Sequence, residues 1–154
     1  MSVEEKLNAL GITLPTPPTP LGNYTAVSVA GDLLFVSGQV PIADGKMVYT
    51  GKVGEHLTIE EGQQAARLAA LNVLAQINRH LNGFHRLDHI VRLEGHVSCA
   101  EQFYAQPAVL DGASDLFADV LGEKAGHARS AFAHSQLPGN AAVVLVVIAQ
   151  IRAE

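Results

Sequence analysis

The strongest constraint in this chain is a helix whose buried side is built largely from small residues. Ala66, Ala69, Ala70, Val73, Leu74, Ile77 and Leu81 fall on one stripe at helical spacing. So many alanines let the helix lie close against a sheet. Its start is written as a capping box: Thr58 can accept from the N–H of Glu61, and the Glu61 carboxylate can reach back to Thr58. The pattern runs to about Asn82-Gly83, where Gly83 is expected to supply the left-handed stop. A second helix opens at Pro107, whose missing N–H is not needed in a first turn. It carries Val109, Leu110, Ala113, Leu116, Phe117, Val120 and Leu121 on one side and ends at Gly122.

Sheet patterns surround these helices. Val27 and Val29 alternate with polar neighbours, Gly31-Asp32 makes a tight turn, and Leu33 to Val36 is a continuous apolar strand, so the two runs read as a hairpin. Asp44-Gly45 is a further turn, followed by a short third strand over Lys46 to Tyr49. Leu87 to Ser98 sends Val91, Leu93 and Val97 to one side, with Gly95 among them, and Arg92, Glu94, His96 and Ser98 to the other. That charged face belongs in water or against the paired charges of a symmetry mate. Two last strands flank the Pro138-Gly139-Asn140 turn, the second spanning Ala141 to Ile151. The order β-β-β-α-β-α-β-β predicts an α+β domain, a mixed sheet of about six strands with two helices packed on one face. Ahead of it, Val3 to Leu10 forms a short helix with Leu7 and Leu10 on one side. Leu14 to Pro20 then holds four prolines in seven residues and must be extended. Residues 1–21 are therefore read as an N-terminal segment and proline-rich arm, and 22–154 as a single domain.

At 154 residues the chain fits one domain that needs no disulfide staples. Charged residues are only 16% of it, against the usual share of about a quarter, so part of its surface is expected to meet another subunit. A net charge of −5 argues against a broad basic nucleic-acid footprint and gives no attraction to an acidic membrane surface. Cys99 is the single cysteine, which excludes an internal disulfide and a cysteine metal cluster and fits a reducing compartment. The opening Met1-Ser2-Val3-Glu4-Glu5-Lys6 lacks the plan of a secretory signal. The longest apolar run, Ala141 to Ala149, is far too short to span a bilayer as a helix. These totals predict a cytoplasmic oligomer with no nucleic-acid or membrane partner.

Chemistry is sparse. Arg129 is the only Lys or Arg between Lys124 and Arg152, set where a loop becomes a strand. It can present its planar fork to a carboxylate or phosphate, or close the strand end against a neighbouring carboxylate. Ser37-Gly38 at a strand end can expose a hydroxyl and a backbone N–H to a ligand, or form a simple bulge. The seven histidines read as scattered and not as a ligand set; His89 and His96, an odd number apart on one strand, fall on opposite faces. Neither a phosphate-cradling Gly-rich loop nor a Gly-x-Ser-x-Gly elbow is present.

Taken together, Tyr24, Ser37-Gly38-Gln39, Ala128-Arg129-Ser130-Ala131 and Leu137-Pro138 resemble the RidA/YjgF family of enamine/imine deaminases. The spacings agree, with thirteen residues from Tyr24 to Ser37 and eight from Arg129 to Leu137, and the resemblance covers roughly Gly22 to Ile151. It implies a chorismate-mutase-like fold and a homotrimer with a cleft at each subunit interface. It further implies that Arg129 binds the carboxylate of a small 2-imino acid, and that Tyr24, Ser37, Gly38 and the backbone at Ala131 line the same cleft. The implied reaction is hydrolysis of an imine to a 2-oxo acid and ammonia, with no metal and no cofactor.

The sequence departs from that pattern at three places. The glutamate that positions water on the final strand of deaminating members falls at Val144, which can neither accept a proton nor orient a water. A substrate-binding asparagine of the second helix falls at Gly112. The residue two before the arginine, commonly proline, is His127, which can shuttle a proton at neutral pH or serve as a hydrogen-bonded loop residue. Two functions follow: a hydrolase of reactive imines or related carboxylates with His127 in a catalytic role, or a non-catalytic trimer that binds a small carboxylate. Ribonuclease activity, attributed to some relatives, is disfavoured by the acidic charge.

Overall fold

The alanine stripe does what its spacing predicts. In the computed structural model, which describes residues 1–154, helix α2 (Ile59–Leu81) buries Ala65, Ala66, Ala69 and Ala70 completely. The preceding elements are helix α1 (Val3–Ala9), strands β1 (Val27–Ala30) and β2 (Leu33–Gln39), and the short strands β3 (Ile42–Ala43) and β4 (Lys46–Met47). After α2 come β5 (Leu87–Ser98), α3 (Gln106–Leu121), β6 (Ala128–His134) and β7 (Val143–Ile151). Five strands form one sheet in the order β1-β2-β7-β5-β6. All its pairs are antiparallel except β5 with β6, which the α3 crossover makes parallel. Helices α2 and α3 cover one face, and a single core cluster runs between them and the sheet.

Several local expectations are refined. The third strand lies outside the main sheet: β3 and β4 make a two-stranded hairpin over Asp44-Gly45, both at positive φ as a tight hairpin turn requires. Asn72 in α2 pins that hairpin by donating to the carbonyls of Val40 and Ile42 at 2.9 and 3.0 Å. The left-handed stop of α2 is Asn82 (φ 54°, ψ 53°) rather than Gly83. On β5 the register against β7 shifts between Ile90 and Arg92, so Ile90 is buried where strict alternation puts Val91. In α1 the buried pair is Val3 and Leu7, while Leu10 is exposed. Those two side chains join the core, and the arm is tied down where Gln76 of α2 donates to the Pro18 carbonyl at 2.8 Å.

Two glycines set how closely the layers approach. A Cβ at Gly95 of β5 would lie 2.3 Å from a Leu110 methyl, so α3 rests directly on the strand. A Cβ at Gly112 of α3 would lie 2.1 Å from the Gln63 carbonyl oxygen, which makes Gly112 the point where α3 touches the backbone of α2. No helix is long and apolar enough to cross a membrane.

Candidate functional site

The residues singled out in the sequence separate into two groups. Tyr24, Ser37, Gly38 and Val144 line one cavity of about 380 Å³ at the end of β2. The arm from Pro18 to Leu21, Ile42 and Met47 of the hairpin, Gln76 of α2 and the Pro138-Gly139 turn complete it, and no Lys, Arg, Asp or Glu contributes. Ser37-Gly38 is a bulge: β2 advances from Val36 to Gln39 while β7 moves only from Val147 to Leu145. The bulge turns the Ser37 hydroxyl onto the Thr25 carbonyl at 2.7 Å. It also leaves Gly38 against Val144, whose Cγ1 would be 3.1 Å from a Cβ there. Tyr24 is more than half exposed, and its hydroxyl accepts from the Leu21 N–H at 3.3 Å.

Arg129, Ala131 and His127 lie elsewhere. Arg129 and Ala131 sit on β6, an edge strand three strands from β2, a separation of about 14 Å at the usual strand spacing. Their register partners are Leu93 and Gly95, so both project to the helix-covered side of the sheet. Arg129 Nη1 donates to Asp111 Oδ1 at 2.9 Å and to Ser114 Oγ at 3.1 Å, and Nη2 donates to the Pro107 carbonyl at 3.3 Å. All three acceptors come from α3. A guanidinium has five N–H donors. Three contacts are made here, none of them by Nε, which leaves donors for a further acceptor. Of the two readings of Arg129, the contact with Asp111 is the one observed, and it leaves guanidinium donors over.

Both ring nitrogens of His127 are engaged, Nδ1 with the Ala125 carbonyl and Nε2 with Ser114 Oγ at 2.9 Å, so the imidazole meets Arg129 through Ser114 and not directly. Gly112 faces Gln63 and not Arg129; its neighbour Asp111 holds the arginine instead.

The uncovered face of the sheet carries a network that the sequence did not disclose. His96 and His134, read as scattered, meet with Nδ1 and Nε2 2.7 Å apart because the parallel pairing of β5 with β6 brings them together. His96 Nε2 reaches Glu94 Oε2 at 2.7 Å, the His96 ring stacks on Phe132, and Arg92 donates to Ser130 at 3.0 Å. The hydrogen bond from His96 holds the Glu94 carboxyl below the usual carboxylate range, against a smaller opposing effect of burial. No signal along the chain pointed to this cluster, since its members come from two strands separated by a helix.

The fold is an α+β scaffold whose edge strand carries an arginine held by the second long helix. The chain belongs to the YjgF/chorismate mutase-like, putative endoribonuclease family, which it matches over residues 4–151. Protein TCP17 of Trypanosoma cruzi is 40% identical over 150 residues, covering 97% of this chain and 94% of that protein. A crystal structure of protein Atu1372 from Agrobacterium tumefaciens, of unknown function, superposes with a TM-score of 0.90 at 40% identity, over 97% of this chain and 92% of that one. That of a putative endoribonuclease from Shewanella oneidensis gives 0.94 at 36% identity, over 97% and 99% of the two chains.

Proposed function

We propose that this protein binds the carboxylate of a small 2-oxo or 2-imino acid on Arg129, in a cleft completed by Tyr24, Ser37 and Gly38 of a second copy, and that it works as a homotrimer. The observation that carries the reading is that Arg129, held in place by three α3 acceptors, keeps guanidinium donors over. The second copy is needed because one chain keeps Arg129 and the Tyr24 cavity on strands separated by about 14 Å, too far for one small molecule to bridge. A surface for that contact exists: Phe35 and Phe132 stand exposed on the sheet face that no helix covers, beside Val144, Val146 and Ile148.

Hydrolysis of a reactive imine is the second reading, favoured by the presence of the carboxylate anchor that this reaction needs. Binding is better supported, because Val144 lines the cavity where a proton acceptor would be needed and no histidine or carboxylate lines it. RNA cleavage, the activity in the name of the Shewanella relative, has the least support, since no Lys or Arg lines the cavity.

Calorimetry with 2-oxobutyrate, alongside ammonia release from freshly generated 2-iminobutyrate, separates these readings. Binding that Arg129→Ala abolishes, without turnover, supports the proposal; turnover lost in the same variant supports the hydrolase. Unchanged binding in Arg129→Ala refutes the anchor. A monomer mass in light scattering at micromolar concentration refutes the shared cleft.

A further inference from the structure

We propose that His127 is a positioning residue for the Arg129 guanidinium, acting through the Ser114 hydroxyl. This rests on the reading of Arg129 as a carboxylate anchor and names the device that aims it.

The directions of the hydrogen bonds follow from what each group can do. A backbone carbonyl only accepts, so the contact between His127 Nδ1 and the Ala125 oxygen requires the proton on Nδ1. In the neutral ring Nε2 is then bare, and it accepts the one proton that Ser114 Oγ carries, across 2.9 Å. With its proton committed to His127, the Ser114 oxygen can meet Arg129 only as an acceptor. A guanidinium offers nothing but donors, so the 3.1 Å contact to Nη1 is matched. Each link has one assignment, and the series runs from Arg129 through Ser114 and His127 to the Ala125 carbonyl.

The imidazole itself is fixed from two further sides. It stands edge-on to the buried Phe117 ring, with centroids 6.0 Å apart and planes at 86°. The backbone at Ala125 belongs to the 3-10 turn Gly122–Ala125 that follows α3. His127 therefore connects that turn, α3 and β6 at the root of the arginine. Asp111 and Ser114 both hold Nη1, and with the Pro107 carbonyl on Nη2 they fix the guanidinium against α3. If the acceptor at His127 is lost, the Ser114 hydroxyl becomes a free rotor, and Asp111 is left as the one fixed partner of Nη1.

Four variants test this by calorimetry with 2-oxobutyrate at pH 8, with melting temperatures recorded for each. His127→Phe keeps a ring but offers no acceptor; His127→Gln places an amide oxygen near the site of Nε2; Ser114→Ala removes the relay; the double variant His127→Phe/Ser114→Ala tests coupling. His127→Phe and Ser114→Ala are each expected to weaken binding about 5- to 10-fold, and the double variant no further than the worse single one, since the two act in series. His127→Gln is expected to recover affinity to within about twofold of the parent. Parent-like affinity in His127→Phe, or no recovery in a stably folded His127→Gln, overturns the proposal.

If Arg129→Ala binds 2-oxobutyrate as well as the parent, the anchor reading fails instead. The positioning claim is then decided by NMR, which needs no bound molecule. The Arg129 Nε–H signal is expected to be sharp in the parent and in His127→Gln and broadened in His127→Phe, with long-range nitrogen couplings placing the His127 proton on Nδ1. A proton on Nε2, or an Arg129 signal equally sharp in His127→Phe, overturns it.

Discussion

A methyl group added at Gly112 tests how closely α3 is set against α2 and, through α3, how Arg129 is held. The new Cβ would lie 2.1, 2.8 and 2.9 Å from the carbonyl oxygen, carbonyl carbon and Cα of Gln63. Bringing the shortest of these to 3.0 Å takes a displacement of 0.9 Å, and the obstruction is backbone, so no rotamer change relieves it. Overpacking of this kind costs about 1–3 kcal/mol, and a backbone clash belongs at the upper end. Alanine in place of glycine inside a helix returns about 1 kcal/mol. The net is a destabilisation of about 2 kcal/mol, which for a domain of this size lowers the melting temperature by about 4–8 °C. Because α3 also carries Asp111 and Ser114, its displacement loosens both partners of Nη1, and 2-oxobutyrate affinity falls with stability. Thermal unfolding by circular dichroism reads the first effect and calorimetry the second. Gly126→Ala is the control, since a Cβ there meets nothing within 4 Å. A melting temperature for Gly112→Ala equal to or above the parent's refutes the close backbone contact.

Two further outcomes follow from the same structure. Thr58→Ala removes the acceptor of the 3.1 Å bond from the Glu61 N–H at the start of α2, and should lower stability by about 1 kcal/mol, read as a shift in denaturant midpoint; an unchanged midpoint refutes the capping box. Glu94 contributes stability because its folded carboxyl titrates below its unfolded value. That contribution is full above the ordinary carboxylate range and is lost as pH falls through the lowered folded value. Denaturant midpoints of the parent and Glu94→Gln should therefore converge as pH is taken from 7 to 3; a constant gap refutes the His96–Glu94 bond as its cause.

What the chain disclosed about itself was local. The capping box at Thr58 and the apolar stripes of α2 and α3 depend on residues a few positions apart, and each is found where the spacing put it. Where pairing between distant segments decides the outcome, the local pattern failed. Val91 has the right period for burial, but the register shift of β5 against β7 gives that place to Ile90. Gly83 is the better left-handed residue, yet Asn82 adopts that conformation first, its N–H bonding back to the Asn78 carbonyl. The same limit governs the site. Arg129 stood out as an isolated cation, but Asp111 and Ser114 lie eighteen and fifteen residues before it and reach it only because α3 packs beside β6. Likewise His96 and His134 are thirty-eight residues apart and meet only through a parallel pairing that no spacing rule announces.

The division of the site across the sheet bears on what can happen at it. An arginine that had to bind a carboxylate alone would be poorly served by an Asp111 partner, since that pair already neutralises much of its charge. Asp111 is half exposed, however, and takes only Nη1, so it orients the fork more than it quenches it. The cavity by Tyr24 has the opposite character: it is uncharged and mostly apolar, and suits the body of a small molecule but not its carboxylate. Each half supplies what the other lacks, an anion anchor without a pocket and a pocket without an anchor. In the proposed trimer, a second copy joins them, which is how a small amphipathic acid would be recognised from parts that are individually weak. No histidine, aspartate or glutamate lines the Tyr24 cavity, and in the other half the His127 nitrogens are held by Ser114 and the Ala125 carbonyl. The proposed pairing of the two halves accounts for binding, and the ammonia-release measurement decides whether turnover accompanies it.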